Sequence, residues 1–178
     1  MHSAEPLFTN PPVILSDLPT VDDLDLTPLD PDYRKVRVIG SALFAVFFVV
    51  AAWAVTLLRP EIRPAGYFVS VALTMGAIWI VYYQAFSFRY MGYAMRERDI
   101  TFKEGWLWRT TATVPFNRVQ HCDIRQGLIE RRFGLARLTI YTAGGESSDI
   151  EIPGLRHEHA EQLKTYLLKG TDQAVEQE

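Results

Sequence analysis

The chain has 178 residues, a single cysteine, 18 Lys and Arg against 21 Asp and Glu, a net charge of −3 and a mean hydropathy of +0.01. One cysteine excludes an intrachain disulfide framework, and the acidic balance argues against nucleic acid as a partner. The near-zero hydropathy averages a strongly apolar third with two polar thirds, which leaves room for one modest soluble domain.

Residues 1–33 hold Asn10-Pro11-Pro12, Pro19, Pro28 and Pro31 among Asp17, Asp22, Asp23, Asp25, Asp30 and Asp32. This composition supplies neither helix continuity nor enough contiguous apolar surface to offset chain entropy, so a disordered acidic tail is expected over 1–33. Val21, Leu24, Leu26 and Leu29 leave a second reading open, a short segment that docks on a partner or on the basic part of the chain.

Residues 34–88 read as a transmembrane hairpin. Two uncharged apolar runs, Val38 to Leu58 and Ala65 to Phe88, are separated by Arg59-Pro60-Glu61-Ile62-Arg63-Pro64. A helix rises about 1.5 Å per residue and the hydrocarbon core is about 30 Å thick, so about 20 apolar residues cross it, and each run supplies them. The runs are apolar all the way round, unlike the two-faced helices of a soluble core. A cleaved signal peptide is not expected, because the first run begins late and ends in Leu57-Leu58-Arg59. Arg34, Lys35 and Arg37 precede the first run, and Arg89, Arg96 and Arg98 follow the second. The positive-inside rule therefore places both termini in the cytoplasm.

From Phe88 the texture changes to short alternating stretches broken by glycine. Tyr90 to Met95, Ile100 to Phe102 and Trp106 to Val114 are predicted as strands, with turns at Arg98-Asp99 and Lys103-Glu104-Gly105. Val119 to Arg125 and Leu135 to Tyr141 follow. A turn at Ala143-Gly144-Gly145-Glu146 then leads into Ile150-Glu151-Ile152, and Pro153-Gly154 ends the sheet. Pro115, lacking an N–H, suits a corner where the sheet bends. Between Gly127 and Gly134, one to two helical turns are expected, with Leu128, Ile129 and Phe133 inward and Arg131 and Arg132 outward. His157 to Lys169 is an amphipathic helix with Ala160, Leu163, Tyr166 and Leu167 on one face and Gly170 as its stop. The expected domain therefore covers 89–169, with a frayed tail over 170–178.

Four blocks carry a resemblance: Val114-Pro115-Phe116-Asn117-Arg118-Val119-Gln120, then Gln126-Gly127-Leu128-Ile129-Glu130-Arg131-Arg132-Phe133-Gly134-Leu135, then Leu138 to Gly145, and Ile152-Pro153-Gly154-Leu155. In this order, after two membrane helices, they resemble the YdbS-like family of bacterial membrane proteins over residues 35 to 168. The resemblance implies a bacterial pleckstrin-homology (PH) domain, an α+β fold in which a bent antiparallel sheet or partly open barrel is closed by a C-terminal helix. It also implies a bacterial plasma membrane location and no known reaction.

The candidate site residues are Arg118, Arg125, Arg131, Arg132 and Arg137, which fall within 20 residues. Guanidinium groups bind phosphate in paired, charge-assisted geometry, and each base near an anionic leaflet contributes about 1 kcal/mol. The other reading is a solvated face, several arginines being paired with Asp123, Glu130 or the acidic last third. His121-Cys122-Asp123 lacks an orienting group and an oxyanion donor, and His157-Glu158-His159 places its two histidines about 200° apart on a helix, wrong for shared ligation. No enzyme, cofactor or metal site is expected. Two roles remain: an assembly subunit that binds another membrane protein, such as a larger relative with several similar domains or a second copy, and a reader of anionic lipid charge.

Overall fold

Asp30-Pro31 starts the first membrane helix: the Asp30 carboxylate accepts the Asp32 N–H at 2.9 Å, and Pro31 fits the first turn, where its missing N–H costs nothing. The computed structural model describes residues 25–144 and 149–175, with side chains of the last helix as far as Lys169. Helix α1 spans Pro31–Leu58 and helix α2 spans Arg63–Ser87, joined by a short 3₁₀ turn, Pro60–Ile62. At 28 and 25 residues they are about 42 and 38 Å long, enough to cross the hydrocarbon core with turns to spare.

The helices run antiparallel and meet through small and polar side chains, as membrane helices do when burial from water cannot drive their association. Trp53 Nε1–H donates to Thr74 Oγ1 at 3.2 Å, and the hydroxyls of Thr56 and Ser70 lie 3.0 Å apart. Gly66 lets Thr56 approach so closely that a Cβ there would sit 2.8 Å from its methyl and hydroxyl. The large apolar residues, Phe44, Phe47 and Phe68 among them, point away from the pair.

Among the described residues, seven strands form two antiparallel sheets. The first has the order β1 (Thr27–Pro28), β2 (Gly92–Met95), β3 (Asp99–Glu104), β4 (Thr110–Pro115), and the second β5 (Val119–Arg125), β6 (Leu135–Thr142), β7 (Ile150–Arg156). The corner expected at Pro115 is where β4 passes through a 3₁₀ turn, Phe116–Arg118, into the other sheet. Ile100, Phe102, Leu138, Ile140 and Ile152 fill the space between the sheets. Helix α4 (His157–Val175) plugs one end with Ala160 and Leu167, and Tyr166 meets Phe116 edge to face at 6.0 Å. This is the PH-like bent sheet closed by a C-terminal helix, on a membrane hairpin.

Several expectations are corrected. Residues 1–24 of the expected tail, with Val21 and Leu24, lie outside the described residues, but 25–33 are structured. Thr27 and Pro28 pair with Tyr93 and Gly92, Leu29 is buried in the domain core and α1 already begins at Pro31, because a leucine that reaches an apolar core offsets the entropy of ordering its neighbours. The Trp106 to Val114 strand begins only at Thr110. Gly105, at φ +94°, reverses the chain against the Trp108 carbonyl, and the pairing of Glu104 with Thr110 makes 105–109 a hairpin tip. Lys103 and Glu104 consequently belong to β3, Asp99 starts that strand, and Tyr90, expected to open the first strand, closes a 3₁₀ turn, Phe88–Tyr90, so that β2 begins at Gly92.

Pro153-Gly154 does not end the sheet. β7 continues to Arg156 through an irregular register between Ala136 and Leu138, where a residue without an N–H and one at φ +67° are accommodated. Helix α3 spans Leu128–Arg132, but Leu128 points outward and Glu130 takes an inward position. Helix α4 runs past Gly170 to Val175, since a helical glycine costs only about 1 kcal/mol and no proline follows it. Gly145 and Glu146 of the expected turn, and 176–178 of the expected tail, lie outside the described residues.

Candidate functional site

The domain is latched to the hairpin by the segment that enters α1. The Asp30 N–H donates to the Gly154 carbonyl at 3.1 Å, and the Asp30 carboxylate accepts from Arg156 Nε at 2.6 Å. Arg156 Nη2 donates to Asp32 at 3.2 Å. The hydrogen bond from Lys35, with the Arg156 charge beside it, holds the Asp32 carboxyl below its ordinary pKa, while the Asp30 hydrogen bond and charge raise that of Arg156. One turn on, the Arg37 guanidinium donates to Gln84 Oε1 of α2 and to Met91 Sδ at 2.7 Å, tying both helices to the start of the domain.

The five arginines do not converge on one site. Arg125 and Arg137 are direct cross-strand partners and adjoin α3, which carries Arg131 and Arg132 on its exposed surface. Arg118 lies at the opposite end of the seven-residue β5, about 20 Å away at 3.3 Å per residue. Arg137 is committed to structure. It donates to Glu130 from Nη2 at 2.7 Å and Nε at 3.2 Å, and from Nη1 to Glu151 at 2.9 Å. Glu130 is only 2 % exposed and also accepts the Gly127 N–H at 2.6 Å. The Glu130 hydrogen bond raises the Arg137 pKa against the desolvation that lowers it. Arg125 donates to the Tyr141 hydroxyl at 2.6 Å, and the Tyr141 ring stacks on His121 at 4.2 Å. Arg131 and Arg132 thus remain outward beside the membrane helix, for Ile129 of α3 lies against Gly40 of α1.

Cys122 is buried beneath this face, and burial pushes its thiol up to about 11, so at neutral pH it is protonated and not a nucleophile. His121 and Asp123 are on the other side of the strand. Among the described residues no three His, Cys, Asp or Glu side chains are grouped to hold a metal.

Sequence reasoning missed two surfaces. The first is a cleft of about 510 Å³ between β4 and β7, walled by Thr110 and Ala112 on one side and Ile150 and Glu151 on the other, with Tyr33, Arg37 and Gln84 at its membrane end. Neither strand has a second strand partner among the described residues. Nothing local marks such a cleft, because strand order is set by distant pairing. The second is the β3–β4 hairpin tip, where Trp106, Leu107 and Trp108 are exposed. Its signal was legible: three large apolar residues directly after Gly105.

The model of the family described as "Bacterial PH domain" matches residues 35–171. The chain is 31% identical over 143 residues to the transmembrane protein YdbS of Bacillus subtilis (strain 168), covering 76% of this chain and 86% of that protein. It is 26% identical over 110 residues to the transmembrane protein YdbT of the same organism, covering 61% of this chain but only 22% of YdbT. No solved structure matches.

Proposed function

Because the chain belongs to the bacterial PH domain family and carries its own membrane hairpin, we propose that it is a non-enzymatic assembly subunit whose domain binds another membrane protein on the cytoplasmic side of the plasma membrane. The observation that carries this reading is the cleft between β4 and β7, neither of which has a second strand partner among the described residues. Exposed strand edges offer backbone N–H and C=O groups to an added strand, and natural proteins cover such edges or use them. Here the edges flank a cleft that ends on Arg37 and Gln84, so an incoming segment meets the membrane helices and the domain together. A longer family member with several such domains, or a second copy of this chain, fits that requirement.

The test is a photo-cross-linking residue in place of Ala112 or Thr111, activated in intact bacterial membranes. An adduct with a membrane protein that still forms when irradiation is carried out in 1 M salt, where the Debye length is about 3 Å, supports the reading. Adducts with lipid alone, or none, overturn it.

One observation favours a second reading, recognition of anionic lipid charge: Arg131 and Arg132 are exposed on α3, beside the point where α1 enters its apolar run. Each contributes about 1 kcal/mol near an anionic leaflet. Salt-sensitive flotation of residues 89–178 with anionic but not neutral vesicles, after circular dichroism shows the fragment folded, supports it. A folded fragment that does not float counts against it.

A further inference from the structure

We propose that the hairpin tip Trp106-Leu107-Trp108 and the Leu128 side chain of α3 enter the boundary layer of the leaflet nearest the domain, fixing the domain to the bilayer at two points besides its helices. The inference rests on the membrane hairpin and on neither the assembly reading nor the charge reading.

The exposure is large and apolar. Leu128 is 93 % exposed, Trp108 78 % and Leu107 60 %, on a domain whose other aliphatic side chains mostly fill its core. Such residues facing water mark a binding surface when they are grouped and placed together. Their placement identifies the occupant.

The tip continues an aromatic ladder of the second membrane helix. Trp79, Tyr82, Phe86 and Tyr90 follow one another along one side of the chain at ring separations of 6.3, 6.3 and 5.7 Å, and Trp106 meets Phe86 edge to face at 5.1 Å. Phe86 lies in the last turn of α2, at the end of the apolar run. Trp106 therefore sits at the depth where a spanning helix leaves the hydrocarbon, the level at which tryptophan and tyrosine concentrate. An indole there buries its ring and keeps its N–H among polar headgroups.

Leu128 reaches the same level by another route. Its neighbour Ile129 lies against Gly40, where a Cβ would be 3.9 Å from the Ile129 methyl, and Gly40 is the third residue of the first apolar run. The tip and α3 thus stand beside different helices, each at the height of its membrane entry. Arg109 directly after Trp108, Arg131 and Arg132 one helical turn after Leu128, and Arg89 just past the end of α2 are all exposed and supply cations at headgroup height. Apolar side chains rimmed by arginine, set level with two helix ends, fit a lipid leaflet.

The experiment uses the full chain in phosphatidylcholine vesicles at high lipid-to-protein ratio, so that neither a partner protein nor lipid charge contributes. Leu107→Cys and Leu128→Cys are each labelled with an environment-sensitive fluorophore. Buried Cys122, protonated at neutral pH, takes little label, and the unsubstituted chain measures that background. Both positions are exposed, and circular dichroism checks that each labelled chain is folded. The expected result at both positions is emission shifted to shorter wavelength, quenching by lipids with a nitroxide near the headgroup, and loss of quenching by aqueous iodide. Iodide quenching equal to that of the free dye at either position, without quenching by the nitroxide lipid, overturns the proposal. Because no partner is present, that failure leaves the assembly reading standing.

Discussion

Tyr33 of α1 lies over Gly154 of β7, and the fit depends on glycine twice. The Gly154 φ of +67° is one that an L side chain rarely adopts, and a Cβ there would strike the Tyr33 ring itself. The ring is partly buried against the domain core, which raises its phenol pKa above the ordinary value. Membrane helix and soluble domain are therefore in van der Waals contact at this position, not joined by a loose linker.

Gly154→Ala is expected to lower stability by about 2 kcal/mol, because a left-handed conformation costs about 1–2 kcal/mol for an L-residue and the ring must also move. Adding Tyr33→Ala should recover part of that loss, since both changes act on one contact. Thermal unfolding of the two single variants and the double variant checks it. Strict additivity counts against the contact.

The arginines near α3 should separate into two classes. Arg137→Ala strands the buried Glu130 carboxylate with only the Gly127 N–H, and is expected to cost about 2–3 kcal/mol, less than the roughly 3–5 kcal/mol of a fully buried pair because the guanidinium side is open to water. Arg131→Glu with Arg132→Glu should leave the melting temperature nearly unchanged and reduce adhesion to anionic vesicles. An unfolded double variant would assign those two arginines a structural role.

Acid should loosen the latch at the head of α1. The folded pKa of Asp32 lies below its ordinary 3.8, so its ion pairs contribute fully above that value and are lost as pH falls through the folded one. Protection factors for hydrogen exchange over residues 25–35, which divide out the intrinsic slowing of exchange in acid, should therefore fall below about pH 4. Arg156→Gln should show the faster exchange already at neutral pH, and unchanged exchange in that variant would exclude the latch.

In the hairpin, Gly66→Leu is expected to push α2 off Thr56 and break the hydroxyl pair of Thr56 with Ser70. Overpacking of this kind typically costs about 1–3 kcal/mol. Unfolding by sodium dodecyl sulfate should begin at lower detergent fraction, whereas Phe68→Leu, on the outward surface, should leave it unchanged.

Alkali should destabilise the domain through Cys122. Its folded pKa of about 11 exceeds the reference 9.0, so the thiol's contribution is present in full below 9 and lost as pH rises through 11. A decline of about 2–3 kcal/mol over that window is expected. Because Tyr33 and Tyr93 are also raised by burial, Cys122→Ala should flatten the decline without abolishing it. An identical pH profile in the variant would remove the thiol from the account.

The amino-acid sequence by itself determined the parts of the molecule whose cause is local. Two uncharged runs of more than 20 residues make membrane helices because the bilayer's thickness sets a length and its dryness forbids charge. Alternation in Val119 to Arg125 and Leu135 to Tyr141 makes strands, and Pro115 marks the corner. The tertiary structure decided what depends on residues far apart in the chain. Leu29 is ordered because a core assembled 70 and more residues later receives it. Trp106 to Trp108 are apolar and run straight into the β-prone Thr110 to Val114, yet the register of β3 on β4 leaves them at a tip. Five arginines within 20 residues become one exposed pair, two anchored side chains and one remote residue, because an extended strand carries Arg118 and Arg125 apart while sheet pairing sets Arg137 against Glu151. Periodicity says which side of an element is apolar; only packing says what that side meets.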